Sequence, residues 1–179
     1  TATPLAFAAH AKDIWTIPEW EKREKLADAR FAVTCTAVGA EHLGALAPGK
    51  VHLVYHGLDV RELPDPPMRR AGGGPVEILC VARIVPKKGL DVLLRALARL
   101  STTRDWRFVH IGGGDAAPLA ALAAELGIAD RVRLLGPRPA GEVWAAYRRA
   151  DVFALASRIA PDGDRDGLPN VLMEAASQE

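Results

Sequence analysis

The stretch Val76-Glu77-Ile78-Leu79-Cys80-Val81-Ala82-Arg83-Ile84-Val85-Pro86-Lys87-Lys88-Gly89-Leu90 decides the fold. Val76 to Ala82 is an apolar run of strand length, the pattern of a strand buried in a parallel sheet. Beyond it Leu90, Leu93, Leu94, Leu97 and Leu100 recur at helical spacing. Arg83 and Lys88 therefore sit on a strand-to-helix loop, where open α/β sheets carry ligand sites. A guanidinium fork and an ammonium can hold two phosphate groups and stabilise charge on a leaving diphosphate. The plainer alternative is a solvated basic loop, which is how Lys87 reads.

Strand and helix alternate on either side. Upstream come an apolar run, Leu5 to Ala9, ending at His10; a charged helix, Glu19 to Arg30; a strand, Phe31 to Cys35; and Thr36 as the cap of a following helix. Val51 to Tyr55 reads as another strand. Downstream the expected elements are Trp106–Ile111, Ala116–Leu126, Arg131–Leu135, Gly141–Arg149, Asp151–Leu155 and Pro169–Gln178. Leu119, Leu122, Ala123 and Leu126 share one helical face. Apolar strands alternating with helices imply a parallel sheet covered on both faces, an α/β fold of Rossmann-like type. Between the two halves, Pro64, Pro66, Pro67 and Gly72-Gly73-Gly74-Pro75 mark the best domain boundary.

Two further loops carry candidate chemistry. Phe108 to Ile111 runs into Gly112-Gly113-Gly114-Asp115, where the glycines either let a ligand approach backbone or simply make the turn. Asp166-Gly167-Leu168-Pro169-Asn170-Val171-Leu172-Met173-Glu174 places two carboxylates eight positions apart around a Gly-x-Pro step. Gly167 can open a tight loop, and Pro169 suits a first helical turn. A helix starting there aims free N–H groups and its positive dipole end at whatever lies in front. Asp166 then stands on the loop before the helix, open to a cleft, and Glu174 a little over one turn inside it. A phosphorylated sugar needs this pairing of anion cradle and carboxylates; an ordinary helix start with two solvated acids is the alternative. Arg158, Asp162, Asp164 and Arg165 read as a charged, mobile loop.

Composition narrows the classes. Of 179 residues, 49% are hydrophobic and 25% charged, a globular balance. A net charge of +1 gives no reason to expect a nucleic-acid partner. Cys35 and Cys80 lie in apolar runs, read as buried strand residues and do not make a disulfide framework. No apolar stretch approaches the roughly 18 residues of a membrane span. Gly112-Gly113-Gly114 lacks the glycine spacing of a dinucleotide-binding turn, which argues against an oxidoreductase.

Taken in order, these motifs resemble the retaining GT-B fold glycosyltransferases of the group 1 family: an Arg–x4–Lys-Gly loop, a glycine turn after a strand, and a carboxylate–seven residues–carboxylate segment with Gly-x-Pro. His10-Ala11-Lys12-Asp13 and Tyr55-His56-Gly57-Leu58-Asp59 look like the end of that family's N-terminal domain and the approach to its linker. The resemblance covers nearly the whole chain. The chain departs from the family pattern at Asp166, where the family usually has Glu.

The resemblance implies a truncated two-domain architecture. Residues 1–63 would be the remnant of an N-terminal, acceptor-side domain, 64–75 a linker, and 76–179 an incomplete nucleotide-sugar-binding domain. It implies transfer of a sugar from a nucleoside-diphosphate sugar to a saccharide or lipid-linked acceptor, with no metal and no cofactor beyond the co-substrate. Arg83 and Lys88 would stabilise the departing diphosphate. His10 would face the reactive carbon, although a capping or core histidine fits as well. Asp166, Gly167, Leu168 and Pro169 would hold the sugar, Glu174 the ribose, Gly112 and Gly113 the donor, and Arg138 would lie near the base. His56 reads as structural, and His110 as a core histidine. The family's setting is cytoplasmic, with peripheral association at the inner face of the membrane for the full-length enzyme. A non-catalytic nucleotide-sugar-binding module and a sugar-nucleotide epimerase are the competing readings.

Overall fold

A computed structural model describes residues 5–59, 61, 63–66, 74–100 and 104–178. It divides the chain into two compact units, residues 1–57 with 159–169, and residues 58–158 with 170–179. The change of unit after Gly57 precedes the proline- and glycine-rich stretch, of which 67–73 lie outside the described residues. The run 159–169, expected to belong with 76–179, groups with the first unit.

In the first unit β1 (Leu5–Ala9), β2 (Ala29–Thr34) and β3 (Val51–Leu53) form a parallel sheet in the order β1-β2-β3. The helices are α1 (Ala11–Trp15), α2 (Glu19–Asp28) and α3 (Ala37–Leu46). Ala9, Ile14, Leu26, Ala32 and Leu43 form the core. Thr36 caps α3 as expected, its hydroxyl accepting from the Gly39 N–H at 3.1 Å. The charged helix stops at Asp28 because Ala29 and Arg30 belong to β2, where Ala29 pairs with Leu5. The run 159–169 is anchored within its unit. The Arg165 guanidinium lies 4.2 Å over the Trp15 ring, Asp164 is buried, and the Ala160 N–H donates to the Asp164 carbonyl at 2.8 Å.

In the second unit β4 (Val76–Val81), β5 (Trp106–Ile111), β6 (Val132–Leu134) and β7 (Val152–Phe153) form a parallel sheet in the order β6-β5-β4-β7. The helices are α4 (Leu90–Leu97), α5 (Ala117–Glu125), α6 (Ala140–Arg149) and α7 (Asn170–Ala176). Strand side chains alternate between faces. Ile78, Cys80 and Phe108 pack with Leu90, Leu93, Leu94 and Leu97 of α4 and with Leu119 and Leu122 of α5. Leu79, Val109 and Ile111 pack with Ala146 and Tyr147 of α6 and with Ala175 of α7. Each fully buried leucine of α4 contributes about 1.5–3 kcal/mol of apolar burial.

One polar cluster was not legible in the sequence. Glu77 is buried in β4, its carboxylate accepting from Arg107 Nε at 2.9 Å and from Arg149 Nε at 2.9 Å. Its own N–H donates to Asp151 Oδ2 at 2.8 Å. The cluster joins β4, β5 and the end of α6 where the hydrophobic pattern is interrupted by a charge. A buried carboxylate needs such partners to be tolerated.

Candidate active site

All four strands of the second sheet are parallel, so the loops at their carboxyl ends lie in one row. Short backbone bonds tie the row together. The Ile84 N–H donates to the Gly113 carbonyl at 2.7 Å, and the Gly112 N–H to the Gly136 carbonyl at 3.0 Å. The Arg158 N–H donates to the Lys87 carbonyl at 2.8 Å. Thus the loops after β4, β5, β6 and β7 are one connected backbone surface. His110 reinforces it from below: fully buried in β5, it donates Nε2–H to the Ala82 carbonyl at 2.9 Å. Burial pushes its pKa down, with the Ala82 bond acting the other way.

Two glycines are required by this close approach. Gly112 has φ +153°, and a Cβ built there would lie 1.8 Å from the Ala82 carbonyl oxygen. Gly89 has φ +58°, and its Cβ would lie 2.0 Å from the Ala156 carbonyl oxygen. Gly113 differs: nothing lies within 4 Å of the place its Cβ would take. The two readings of the glycine turn therefore separate. Gly112 makes the turn, and Gly113 faces open space.

Arg83 is exposed beside this surface. Lys88 is half-buried, at the end of a single 3-10 turn, Pro86–Lys88, closed by left-handed Gly89. Lys87, expected to be solvated, is buried at 7% exposure, because the turn directs it inward. Arg158 braces the turn, donating Nε–H to the Pro86 carbonyl at 2.9 Å and pairing with Asp91 at 3.0 Å. Arg138 is exposed on the loop after β6, with Glu142 3.7 Å away.

Glu174 is half-buried on α7, which starts at Asn170, one residue later than expected. Its Oε2 accepts from the Tyr147 hydroxyl at 2.9 Å. That partner is neither solvent nor a basic group, and the sequence gave no sign of it. Burial first, and then Glu174, push the Tyr147 phenol well above its ordinary range, so it stays protonated and a donor. Burial raises the Cys80 thiol to about 12, leaving it unreactive.

The remaining candidates belong to the first unit. Asp166 is half-buried rather than open, and Gly167 backs onto Thr36: its Cβ would lie 2.6 Å from Thr36 Cγ2. Gly167 is therefore required by packing, and the segment through Leu168 to Pro169 follows it in the same unit. His10 caps α1, one of the readings its sequence allowed. Its N–H donates to Asp13 Oδ2 at 3.0 Å as it caps α1, while its ring turns to Cys35 and to His56. Its neighbour Ala11 holds φ +26°, the kind of backbone strain that collects at functional sites.

The row of loops over a parallel sheet defines a Rossmann-like architecture. A model of the glycosyl transferases group 1 family matches residues 67–179, and the chain belongs to that family. It is 30% identical over 161 residues to WcaL of Salmonella typhimurium, named for colanic acid biosynthesis, covering 88% of this chain and 39% of WcaL. It is 37% identical over 127 residues to a GDP-mannose-dependent phosphatidylinositol monomannoside mannosyltransferase of Mycolicibacterium smegmatis, covering 65% of this chain and 33% of that one. Among solved structures, Anabaena HepE in complex with UDP and glucose superposes with a TM-score of 0.76 at 17% identity, covering 98% of this chain and 51% of HepE. That likeness shows a shared GT-B fold. The chain spans about two fifths or less of the length of these two curated relatives.

Proposed function

We propose that this chain forms the donor-binding part, and the adjoining edge, of a retaining glycosyltransferase that uses a nucleoside-diphosphate sugar. The observation that carries the reading is the placement of Arg83 and Lys88 beside a connected row of loops with open space over Gly113. The diphosphate would lie on that row. As the bond from sugar carbon to phosphate oxygen breaks and a bond to the acceptor oxygen forms, negative charge collects on the diphosphate. Arg83 and Lys88 offset it without a metal, by charge-assisted hydrogen bonds. Glu174, oriented by Tyr147, accepts from the ribose hydroxyls. Asp166 and the backbone of 167–169 hold the sugar, and His10 faces the reactive carbon. Arg138 contributes near the base. Retention of configuration is part of the proposal, on the resemblance to that family.

The relatives are named for polysaccharide and glycolipid synthesis. We propose the acceptor class accordingly: a growing cell-surface polysaccharide or a lipid-linked sugar, met at the cytoplasmic face of the membrane. UDP is named with one neighbour and GDP with one relative, so both are the probes. At about 100 times its dissociation constant, the matching diphosphate stabilises the chain by roughly 2.7 kcal/mol in a thermal-shift assay. Arg83→Ala removes a charge-assisted bond of about 1.5–3 kcal/mol, weakening diphosphate binding roughly 10- to 150-fold while sparing the nucleoside. Equal loss for diphosphate and nucleoside overturns the assignment.

A further inference from the structure

The first sheet brings three metal-ligating side chains together at its carboxyl edge. His10 directly follows β1, Cys35 directly follows β2, and His56 lies three residues beyond β3. The register explains why they meet. Ala9 pairs with Thr34 and Thr34 with Leu53, so all three strands end at one level. His10 Nδ1 and Cys35 Sγ are 3.5 Å apart, and the His10 and His56 rings have centroids 5.0 Å apart. One ligand atom from each of the three residues lies within 4.8 Å of the others.

Those distances suit one ion. Zinc–nitrogen bonds of about 2.0–2.1 Å and a zinc–sulfur bond of about 2.3 Å at the tetrahedral angle place nitrogen and sulfur roughly 3.6 Å apart. The observed 3.5 Å between His10 and Cys35 is already that edge. Closing the third corner needs side-chain adjustment on the order of 1 Å. The donor set selects the metal: imidazole with thiolate favours zinc-class ions over magnesium or calcium, which prefer oxygen. Cys35 is buried, and a Cβ on Gly167 would lie 3.7 Å from its sulfur, so loop 166–167 covers the thiol side. The main-chain bond to Asp13 and the strained Ala11 hold the His10 backbone in place.

We propose that His10, Cys35 and His56 form a three-ligand site for a zinc-class divalent ion, with a fourth position left for water or an incoming ligand. An ion seated there engages the ring assigned above to the sugar, so loading and transfer compete. That consequence rests on the proposed role of His10, whereas the binding test does not.

The test is Co2+ loading of the chain followed by absorption spectroscopy, with Zn2+ displacing Co2+ in competition against a chromophoric chelator. One equivalent of Co2+ is expected to give a thiolate-to-cobalt charge-transfer band together with the strong visible bands of tetrahedral cobalt. Cys35→Ser is expected to abolish the charge-transfer band. His56→Gln, which leaves the thiol in place, should weaken Zn2+ by more than the roughly 10- to 100-fold lost with an outer-shell partner. No charge-transfer band in the unmodified chain overturns the site, whatever the variants do. So does a band that survives Cys35→Ser, or Zn2+ affinity unchanged in His56→Gln.

Discussion

Adding one methyl group at Gly112 or at Gly113 separates packing from ligand binding within a single turn. At Gly112 an L side chain would have to adopt φ +153°, with its Cβ 1.8 Å from the Ala82 carbonyl oxygen. The backbone strain alone costs about 1–3 kcal/mol. Relieving the overlap by moving β4 or β5 adds about 1–3 kcal/mol, as overpacking does elsewhere. Gly112→Ala is therefore expected to lose roughly 2–6 kcal/mol, read by urea unfolding, with a midpoint temperature lower by at least about 4 °C. At Gly113 nothing lies within 4 Å of the added carbon. Gly113→Ala should stay within about 0.5 kcal/mol of the parent, as substitutions away from packed features do. If the diphosphate rests on this turn, the same methyl intrudes on it. Gly113→Ala then binds nucleoside diphosphate at least about tenfold more weakly, a loss of roughly 1.4 kcal/mol. Calorimetric titration of both variants is the assay. Unchanged diphosphate affinity in Gly113→Ala refutes the placement of the donor over the turn. Unchanged stability in Gly112→Ala refutes the account of the close approach at Ala82.

Tyr147→Phe removes the hydroxyl that Glu174 accepts, and is expected to lower stability by about 1.5–3 kcal/mol, typical of hydrogen bonds to charged groups. In calorimetric titration it should also weaken nucleotide binding by loosening Glu174, and nucleotide affinity equal to the parent's counts against the ribose role. Stability should fall with acid through His110. Its folded-state pKa is depressed below 6.5, so below about pH 6.5 the unfolded chain binds the proton more readily. The loss continues until the depressed folded value is reached. His42, also lowered by burial, adds a slope of the same sign, so His110→Gln should show a shallower dependence of unfolding free energy on pH without abolishing it.

Local pattern was enough for most elements of the second unit. The apolar run before Arg83 and the leucines after Gly89 specify a strand and a helix whatever surrounds them, because alternation and helical spacing are local properties. That placed Arg83 and Lys88 on a loop at a strand's carboxyl end, where the structure has them. Helix α1 was missed: five residues are too few to show a helical period, and the His10 N–H donating to Asp13 marks its start. Lys87 and Lys88 look alike in sequence, and only the handed 3-10 turn buries the first.

What the sequence by itself determined is the order and type of elements and which loops carry the charged side chains, since those depend on neighbours along the chain. Only tertiary structure decided who meets whom across it. Glu174 takes Tyr147 from another helix, Gly112 owes its identity to Ala82, and the run 159–169 joins the first unit. His10, Cys35 and His56 converge because strand register aligns three carboxyl ends. Hydrogen bonds between strands set that register, and a linear reading of residues 25 and 21 positions apart does not contain it.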